Sequence, residues 1–415
     1  MTALAASREI PLTLIGHPFA TVGMGEQLRS HIAACQAVHL PHLVLDIFQH
    51  PARTDPDHLG LVGSRETQRP PGGIRIFHIN GDEVERAIEA FEERGGKFSD
   101  GYNIVVPAWE LPRYPSAWAK QVRRFDEAWA LSRFIAESLS AVGVSITHIG
   151  QAVEVPLGYF LPRRHFGIRE SAFVAMHFFD LTSFACRKNP EAVLAMFQAI
   201  RCRRIFEDVQ LVLKVKRGER DGDDWLRPIQ EQVPEVICLS APMSAFETRS
   251  LINACDCFVS LHRSEGFGRG TGEAMFLGRL ALATGWSGNL DYMTAENSLL
   301  VKHEPVPVGN GEYPFGERQV WAEPDVDHAT ALLEAALDDR ARAAAIAARG
   351  RRDIRLRHSF RAVGVRILDR VTEINAMLHI RPRPADRGIR RKARRAVHET
   401  MTADRPSERS SAVVR

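Results

Sequence analysis

The stretch from Cys257 to Gly278 constrains the fold most. It opens as a short apolar run, Phe258 to Leu261, which reads as a buried strand. It then breaks into a loop with glycine at alternate positions, Gly266, Gly268, Gly270 and Gly272. Thr271 is placed to cap a helix through Ala274, Met275 and Leu277, which Gly278 can end. Strand, glycine loop and helix start together make an anion site, because bare backbone lets N–H groups approach an oxyanion and the helix dipole favours negative charge there. Two carboxylates flank the loop, Glu265 at its start and Glu273 in the first helical turn. Either feature alone has a plain explanation: an acidic first turn suits the dipole, and alternate glycines can form a tight connection. Together, after a buried strand, they point to a ligand.

A strand–loop–helix unit of this kind cannot stand alone, and the rest of the chain supplies its neighbours. Strands are expected at Leu12 to Gly16, Leu43 to Phe48, Ile74 to Ile79, Ile104 to Val106, Glu127 to Ala130 and Val144 to Ile149. Helical patterns lie between them, from Glu26 to Cys35, Glu83 to Arg94 and Ser132 to Leu139. Val153 to Ile168, with two prolines and no period, reads as a linker. A second series follows, with strands at Phe173 to Phe179, Leu211 to Val215, Val236 to Leu239, Leu280 to Thr284 and Ser298 to Val301. Its helices are Glu191 to Phe206 and Ala245 to Asn253. Strands alternating with helices imply parallel sheets covered on both faces. Two such α/β domains in tandem imply a ligand cleft between them, beyond the carboxyl ends of the strands. Glu304 to Pro324 reads as a long loop, either functional or a surface insertion. Helices resume at Val326 to Leu337 and Phe360 to Leu378.

Composition excludes several classes. At 415 residues with 45% apolar and 25% charged residues, the chain is an ordinary globular protein of two or three domains. From Arg381 onward there are eleven Lys/Arg against four Asp/Glu, while the first 380 residues hold 43 basic and 47 acidic ones. The body is therefore no bulk polyanion binder, and no nucleic-acid partner is expected. The tail reads as a disordered, solvated segment or as a basic arm on anionic lipid at the inner face of a membrane. The six cysteines form no C-x-x-C pair and no zinc-ligand spacing, so no metal is expected. Scattered thiols, no signal-peptide pattern and no membrane-length apolar run suit a cytoplasmic protein.

A second glycine site follows the first strand, from Gly16 and His17 to Gly23-Met-Gly25-Glu26. Neither site matches G-x-G-x-x-G, since Leu28 and Thr271 stand where the third glycine would be, and there is no P-loop lysine. The glycine blocks, the Glu265-x7-Glu273 pattern, Asp180 to Asn189, and Ser287-Gly288-Asn289-Leu290 resemble the signature of the family 4 retaining glycosyltransferases of GT-B fold. Ser260 to Gly268 and Trp109 to Pro112 are similar to blocks of a bacterial, polysaccharide-type branch. The resemblance covers about residues 10 to 378.

The resemblance implies two Rossmann-like domains facing a cleft: 1–157 on the acceptor side, 158–357 on the nucleotide-sugar side, and a helix at 358–380 packing back on the first domain, before the tail 381–415. It implies sugar transfer with retention and without metal, from a nucleotide-diphosphate sugar to a glycan or lipid-linked glycan, with mannose the leaning. Glu273 would bind ribose hydroxyls, Glu265 the donor sugar, and Gly266, Phe267 and Gly268 the sugar and diphosphate. Asn289 and Leu290 would join the donor site. Lys188 would bind the diphosphate; the position of its usual arginine partner falls near Thr182 or Ser183, so Arg187 or Lys214 would substitute. Gly23, Gly25, His17, Trp109, Glu110 and His262 would line the phosphate or acceptor side. An epimerase of the same fold and a non-catalytic nucleotide-sugar-binding protein are the competing readings.

Overall fold

The computed structural model describes residues 11–49, 55–181, 183–205, 207–216, 233 and 235–380. The basic tail and Thr182 lie outside them. One unit, Ile10–Leu368, holds both sheets; the other comprises Met1–Glu9 and Asp369–Arg415.

The first sheet has strands β1 (Leu12–Gly16), β2 (Leu43–Asp46), β3 (Gly73–Phe77), β4 (Gly101–Val105), β5 (Glu127–Ala130) and β6 (Ser145–His148). They are parallel and ordered β2-β1-β3-β4-β5-β6. Its helices are α1 (Gly23–Ala37), α2 (Pro56–Val62), α3 (Val84–Glu93), α4 (Ser116–Val122) and α5 (Arg133–Leu139). α1 is entered from Val22 in extended backbone. α5 is capped by the Ser132 hydroxyl, which accepts from the Ile135 amide and satisfies one otherwise orphaned donor.

The second sheet has β7 (Phe173–Asp180), β8 (Val209–Lys216), β9 (Val236–Leu239), β10 (Cys257–Ser260), β11 (Leu280–Thr284) and β12 (Leu299–Val301). It is also parallel, ordered β12-β11-β10-β7-β8-β9. Its helices are α6 (Ala185–Lys188), α7 (Pro190–Arg203), α8 (Ala245–Ala254) and α9 (Arg269–Phe276). Buried apolar runs such as Leu211 to Leu213 and Leu280 to Ala283 explain why this sheet is covered on both faces.

In each sheet the winding reverses once, between β1 and β3 and between β7 and β10. The segments leaving those strands diverge to opposite faces, which opens a crevice at the carboxyl edge. Val153, Val155, Phe166 and Ile168, between the sheets in sequence, are buried in the second sheet's core.

Three differences from expectation have physical causes. The stretch Glu304 to Pro324 is not a loop but an antiparallel hairpin, β13 (His303–Pro307) with β14 (Val320–Pro324). After α10 (Val326–Asp338), a helix that periodicity did not reveal, α11 (Arg340–His358), precedes α12 (Phe360–Ile380). Its buried side is mostly small, with Ala343, Ala347 and Gly350 beside Ile354, so it carries almost no apolar stripe. Thr271 does not cap α9: the helix begins at Arg269 with Gly268 as its cap, three residues earlier than expected. Gly278 follows the helix end in left-handed backbone, φ 77°. Up to Leu368, α12 lies on the first half: Gly364 abuts the Ala34 backbone, and Arg366 Nε donates to the Ile149 carbonyl at 2.7 Å. Among the described residues no helix is long and apolar enough to cross a membrane.

The buried histidines make the fold sensitive to acid. Burial pushes His31, His177 and His358 down to about 4 from an ordinary 6.5. Between those values the unfolded chain binds the extra protons, so stability is full above 6.5 and falls as the pH drops towards 4. Each histidine contributes at most about 1.4 kcal/mol per pH unit. Melting temperatures should therefore decline steadily from neutral pH to about pH 5, and a flat profile would contradict this.

Candidate active site

The reversal in the second sheet brings together the segments after β7 and β10. After β7, α6 ends at Asn189 in left-handed backbone, φ 53°, and Pro190 restarts the chain as the first residue of α7. That kink presents Arg187 and Lys188 to the loop after β10. Lys188 Nζ donates to Glu265 Oε1. Arg187 Nη1 lies 3.2 Å from Glu265 Oε2 and donates to the Ser264 carbonyl at 2.8 Å. Glu265 is 7% exposed. Burial pushes its carboxyl up, but the charges of Lys188 and then Arg187 outweigh that and hold it well below the usual carboxylate range. Arg187 is also buried, yet Glu265, Glu110 and Tyr313 keep its guanidinium firmly charged. The two cations differ in access: the Lys188 side chain is 23% exposed and Arg187 9%.

The Glu265 backbone is held as firmly as its side chain. Its amide donates to Ser287 Oγ at 2.9 Å, and its carbonyl accepts from the Gly288 amide at 2.9 Å. The Gly266 carbonyl accepts from Ser132 Oγ at 2.5 Å, which ties the loop to the first half. Gly268 takes φ 84°, and a Cβ there would stand 2.9 Å from Tyr292 Oη, so only glycine fits. The amides of Gly266, Phe267 and Gly268 have no hydrogen-bond acceptor among the described residues. They stand just ahead of the α9 N-terminus, as the sequence anticipated.

The second carboxylate sits in a chain of alternating charge. Arg269 Nε donates to Glu273 Oε1 at 2.7 Å, and Arg269 Nη2 lies 3.4 Å from Glu26 Oε2. Glu26 Oε1 accepts from Arg29 Nη2 at 2.5 Å. Burial raises the Glu273 carboxyl, and Arg269 only partly offsets it. Sequence reasoning missed Arg269, although it is the sole charged residue between Glu265 and Glu273. It reaches back across the molecule to the glycine block that opens α1.

The other expected residues fall in several places. Trp109 is buried, with its indole N–H on the Arg113 carbonyl at 2.9 Å. Glu110 meets Tyr313 Oη at 2.5 Å, and the Glu110 carbonyl accepts from Ser264 Oγ. His262 is part of the frame: Nε2 bonds the Trp286 carbonyl at 3.1 Å and Nδ1 the Ser260 hydroxyl at 3.0 Å. Burial lowers its pKa and favours the neutral ring. Phe267 packs its side chain on Tyr292 and His358, leaving only backbone to face a ligand. Asn289 is buried, with Nδ2 on the Thr284 carbonyl at 3.0 Å, while Leu290 is 44% exposed. Leu290 lines a cavity of about 400 Å³ with Arg133, Phe134 and Trp286. Lys214 Nζ donates to the Ala241 carbonyl at 3.3 Å and, among the described residues, forms no hydrogen bond or ion pair with the Lys188 group.

The reversal in the first sheet holds its own cavity, of about 540 Å³, lined by His17, Val22, Met24, Asn80, Asp82 and Glu83 among others. His17 Nε2 lies 2.7 Å from Glu83 Oε1. Gly25 is required there, since a Cβ would meet the Ala20 carbonyl at 2.3 Å, whereas Gly23 faces open space. A further cavity of about 670 Å³ lies against Phe173, Asp256 and Leu280, at the amino ends of β7, β10 and β11. It is at the wrong edge of the sheet for a ligand site of this fold.

No family model and no curated protein sequence matches the chain. Solved structures do. HepE from Anabaena, in complex with UDP and glucose, superposes with a TM-score of 0.63 at 13% identity, over 88% of this chain and 100% of that one. The fold is GT-B. Sucrose-phosphate synthase from Thermosynechococcus elongatus gives 0.63 at 14% identity, over 89% and 100% of the two chains. TarM from S. aureus, solved with UDP, gives 0.51 at 11% identity, over 72% of this chain and 55% of that one. The likeness fixes the architecture; the function has to be argued from the site.

Proposed function

We propose that the chain is a glycosyltransferase that moves a sugar from a nucleotide-diphosphate donor to a carbohydrate hydroxyl. One observation carries this reading: Lys188, Arg187 and Glu265 meet at the strand-order reversal of the second sheet, beside the free amides of the glycine loop. UDP in the HepE structure supports the donor class. Departure of a diphosphate needs fixed positive charge and N–H dipoles where negative charge grows. Lys188, the more exposed cation, turns from Glu265 to the leaving diphosphate, while Arg187 stays on Glu265 and holds it. The loop amides complete the anion site without a metal. Glu265 accepts donor-sugar hydroxyls and Glu273 the ribose hydroxyls, since a carboxylate can accept from vicinal O–H groups.

Retention follows if the acceptor approaches on the face from which the diphosphate leaves, which passes the proton to the leaving phosphate. Closing the two halves around both substrates supplies alignment. The acceptor is a glycan or lipid-linked glycan of surface polysaccharide, and mannose is the leading donor sugar, both on the family 4 resemblance. Incubation with UDP-glucose, UDP-N-acetylglucosamine or GDP-mannose and a glycan mixture, followed by product analysis, tests the reading. Release of nucleoside diphosphate with a new α-linkage supports it; an epimerised nucleotide sugar with no transfer overturns it.

Glu273 is tied to Arg269 through Oε1 in the free protein, which leaves Oε2 to accept from the donor. Glu273→Gln should raise the donor KM by about tenfold with a much smaller change in kcat, since hydrogen bonds to a charged group are among the stronger ones. Steady-state kinetics against donor concentration check this, and an unchanged KM would remove Glu273 from the donor site.

A further inference from the structure

The β13–β14 hairpin grows out of the second half, but its tip docks on the first. The Arg113 amide donates to Gln319 Oε1 at 2.9 Å, Gln319 Nε2 returns a bond to the Arg113 carbonyl at 3.1 Å, and an Arg113 guanidinium nitrogen donates to the Arg318 carbonyl. Phe315 packs edge-on against Trp118 at 5.2 Å. At the root, the Ala322 amide bonds the Arg263 carbonyl at 2.9 Å, and Arg263 pairs with Glu323 at 2.6 Å. Anchored at both ends, the hairpin carries Tyr313 to the switch-point cations. Its ring lies 6.0 Å from the Arg187 guanidinium and 5.1 Å from the Phe184 ring. The neighbouring Glu312 carbonyl accepts from Cys186 Sγ at 3.1 Å.

Tyr313 Oη occupies one oxygen of Glu110, and the other, Oε1, has no hydrogen-bond partner among the described residues. Phe184 is left 45% exposed beside it. An open carboxylate oxygen next to two aromatic faces, one of them half in solvent, suits a ligand with a hydroxylated edge and an apolar C–H face. A sugar ring has both.

We propose that the hairpin tip builds the acceptor subsite: Glu110, oriented by Tyr313, accepts from acceptor hydroxyls, and the Phe184 and Tyr313 rings stack on the sugar ring. This rests on the glycosyltransferase reading and names residues that select its acceptor. It also explains why the hairpin spans both halves: the wall it forms stands beside Lys188 and Glu265 only while the tip is docked.

The test uses full-length protein and two readouts. Thermal shift with UDP, GDP and ADP reports the nucleotide site, and an array of mono- to trisaccharides, probed with the responding nucleotide present, reports the acceptor subsite. Wild type should bind at least one glycan class. Tyr313→Ala and Glu110→Gln should weaken that binding at least about tenfold while keeping the nucleotide-induced shift, and Tyr313→Phe, which keeps the ring, should fall between. The retained shift shows that a variant has folded; if Tyr313→Ala loses it, Tyr313→Phe and Glu110→Gln decide. A wild type that responds to nucleotide but binds no glycan overturns the hairpin inference alone, as do folded variants that bind like wild type. A wild type that responds to no nucleoside diphosphate overturns the glycosyltransferase reading, and the hairpin inference with it.

Discussion

Replacing Glu265 with alanine should destabilise the protein by about 3–5 kcal/mol, the range for breaking a buried ion pair by removing one partner. The carboxylate is 7% exposed and holds two cations, and Arg187 is equally buried. Without Glu265 the Arg187 guanidinium keeps the Ser264 carbonyl but has no other anion within ion-pair distance among the described residues. Lys188 is better placed to reach water. Thermal melts of the purified variant check the prediction. Adding Arg187→Met to Glu265→Leu should recover much of the loss, because the most deeply buried charge is then removed and Lys188, 23% exposed, can reach water. Recovery would show that the loss comes from the orphaned charge. A Glu265→Ala variant that melts with wild type would show that the triad is not held as described. The effect should be insensitive to pH near neutrality. The Glu265 carboxyl is held below its ordinary 4.5, so its contribution is complete above that value and is lost only as the pH falls well under it.

Lys188→Ala should cost less stability than Glu265→Ala and lower kcat by about 10²–10³, the usual effect of removing one donor that stabilises charge in a transition state. Arg187 still pairs with Glu265 in this variant, which is why the fold should tolerate it. Donor binding should weaken less than turnover falls, because the charge on the departing diphosphate grows as the bond breaks. Lys188→Arg should restore part of the rate. If Lys188→Ala kept the wild-type kcat, the diphosphate would have to be met by another group.

Much of the architecture was legible before any coordinates. Glu127–Ala130, Val236–Leu239 and Leu280–Thr284 are strands with the bounds expected, because each is a short apolar or β-forming run between breakers. The glycine loop of Gly266 and Gly268, between β10 and α9, was legible for the same local reason. What escaped was non-local or lacked a period. α11 is rich in alanine and arginine and shows no apolar stripe. The hairpin is interrupted by proline and glycine, and its register is set by pairing rather than by alternation. Lys188 and Glu265 are 77 residues apart, Glu110 and Tyr313 203 apart, and Arg269 and Glu26 243 apart. Only the order of strands brings such pairs together. Arg187 was set beside Lys188 as one of a pair of cations; burial separates them into a holder of Glu265 and a more exposed partner.

Titrating UDP, GDP and ADP into wild type, Lys188→Ala and Glu273→Gln, and following the melting temperature, probes the nucleoside-diphosphate site at the reversal of the second sheet. One of the three nucleotides should stabilise wild type, by about 2.7 kcal/mol at a hundredfold excess over Kd, and the shift should shrink in both variants. A wild-type melting temperature that no nucleotide raises, or an equal shift in all three proteins, would contradict a site there.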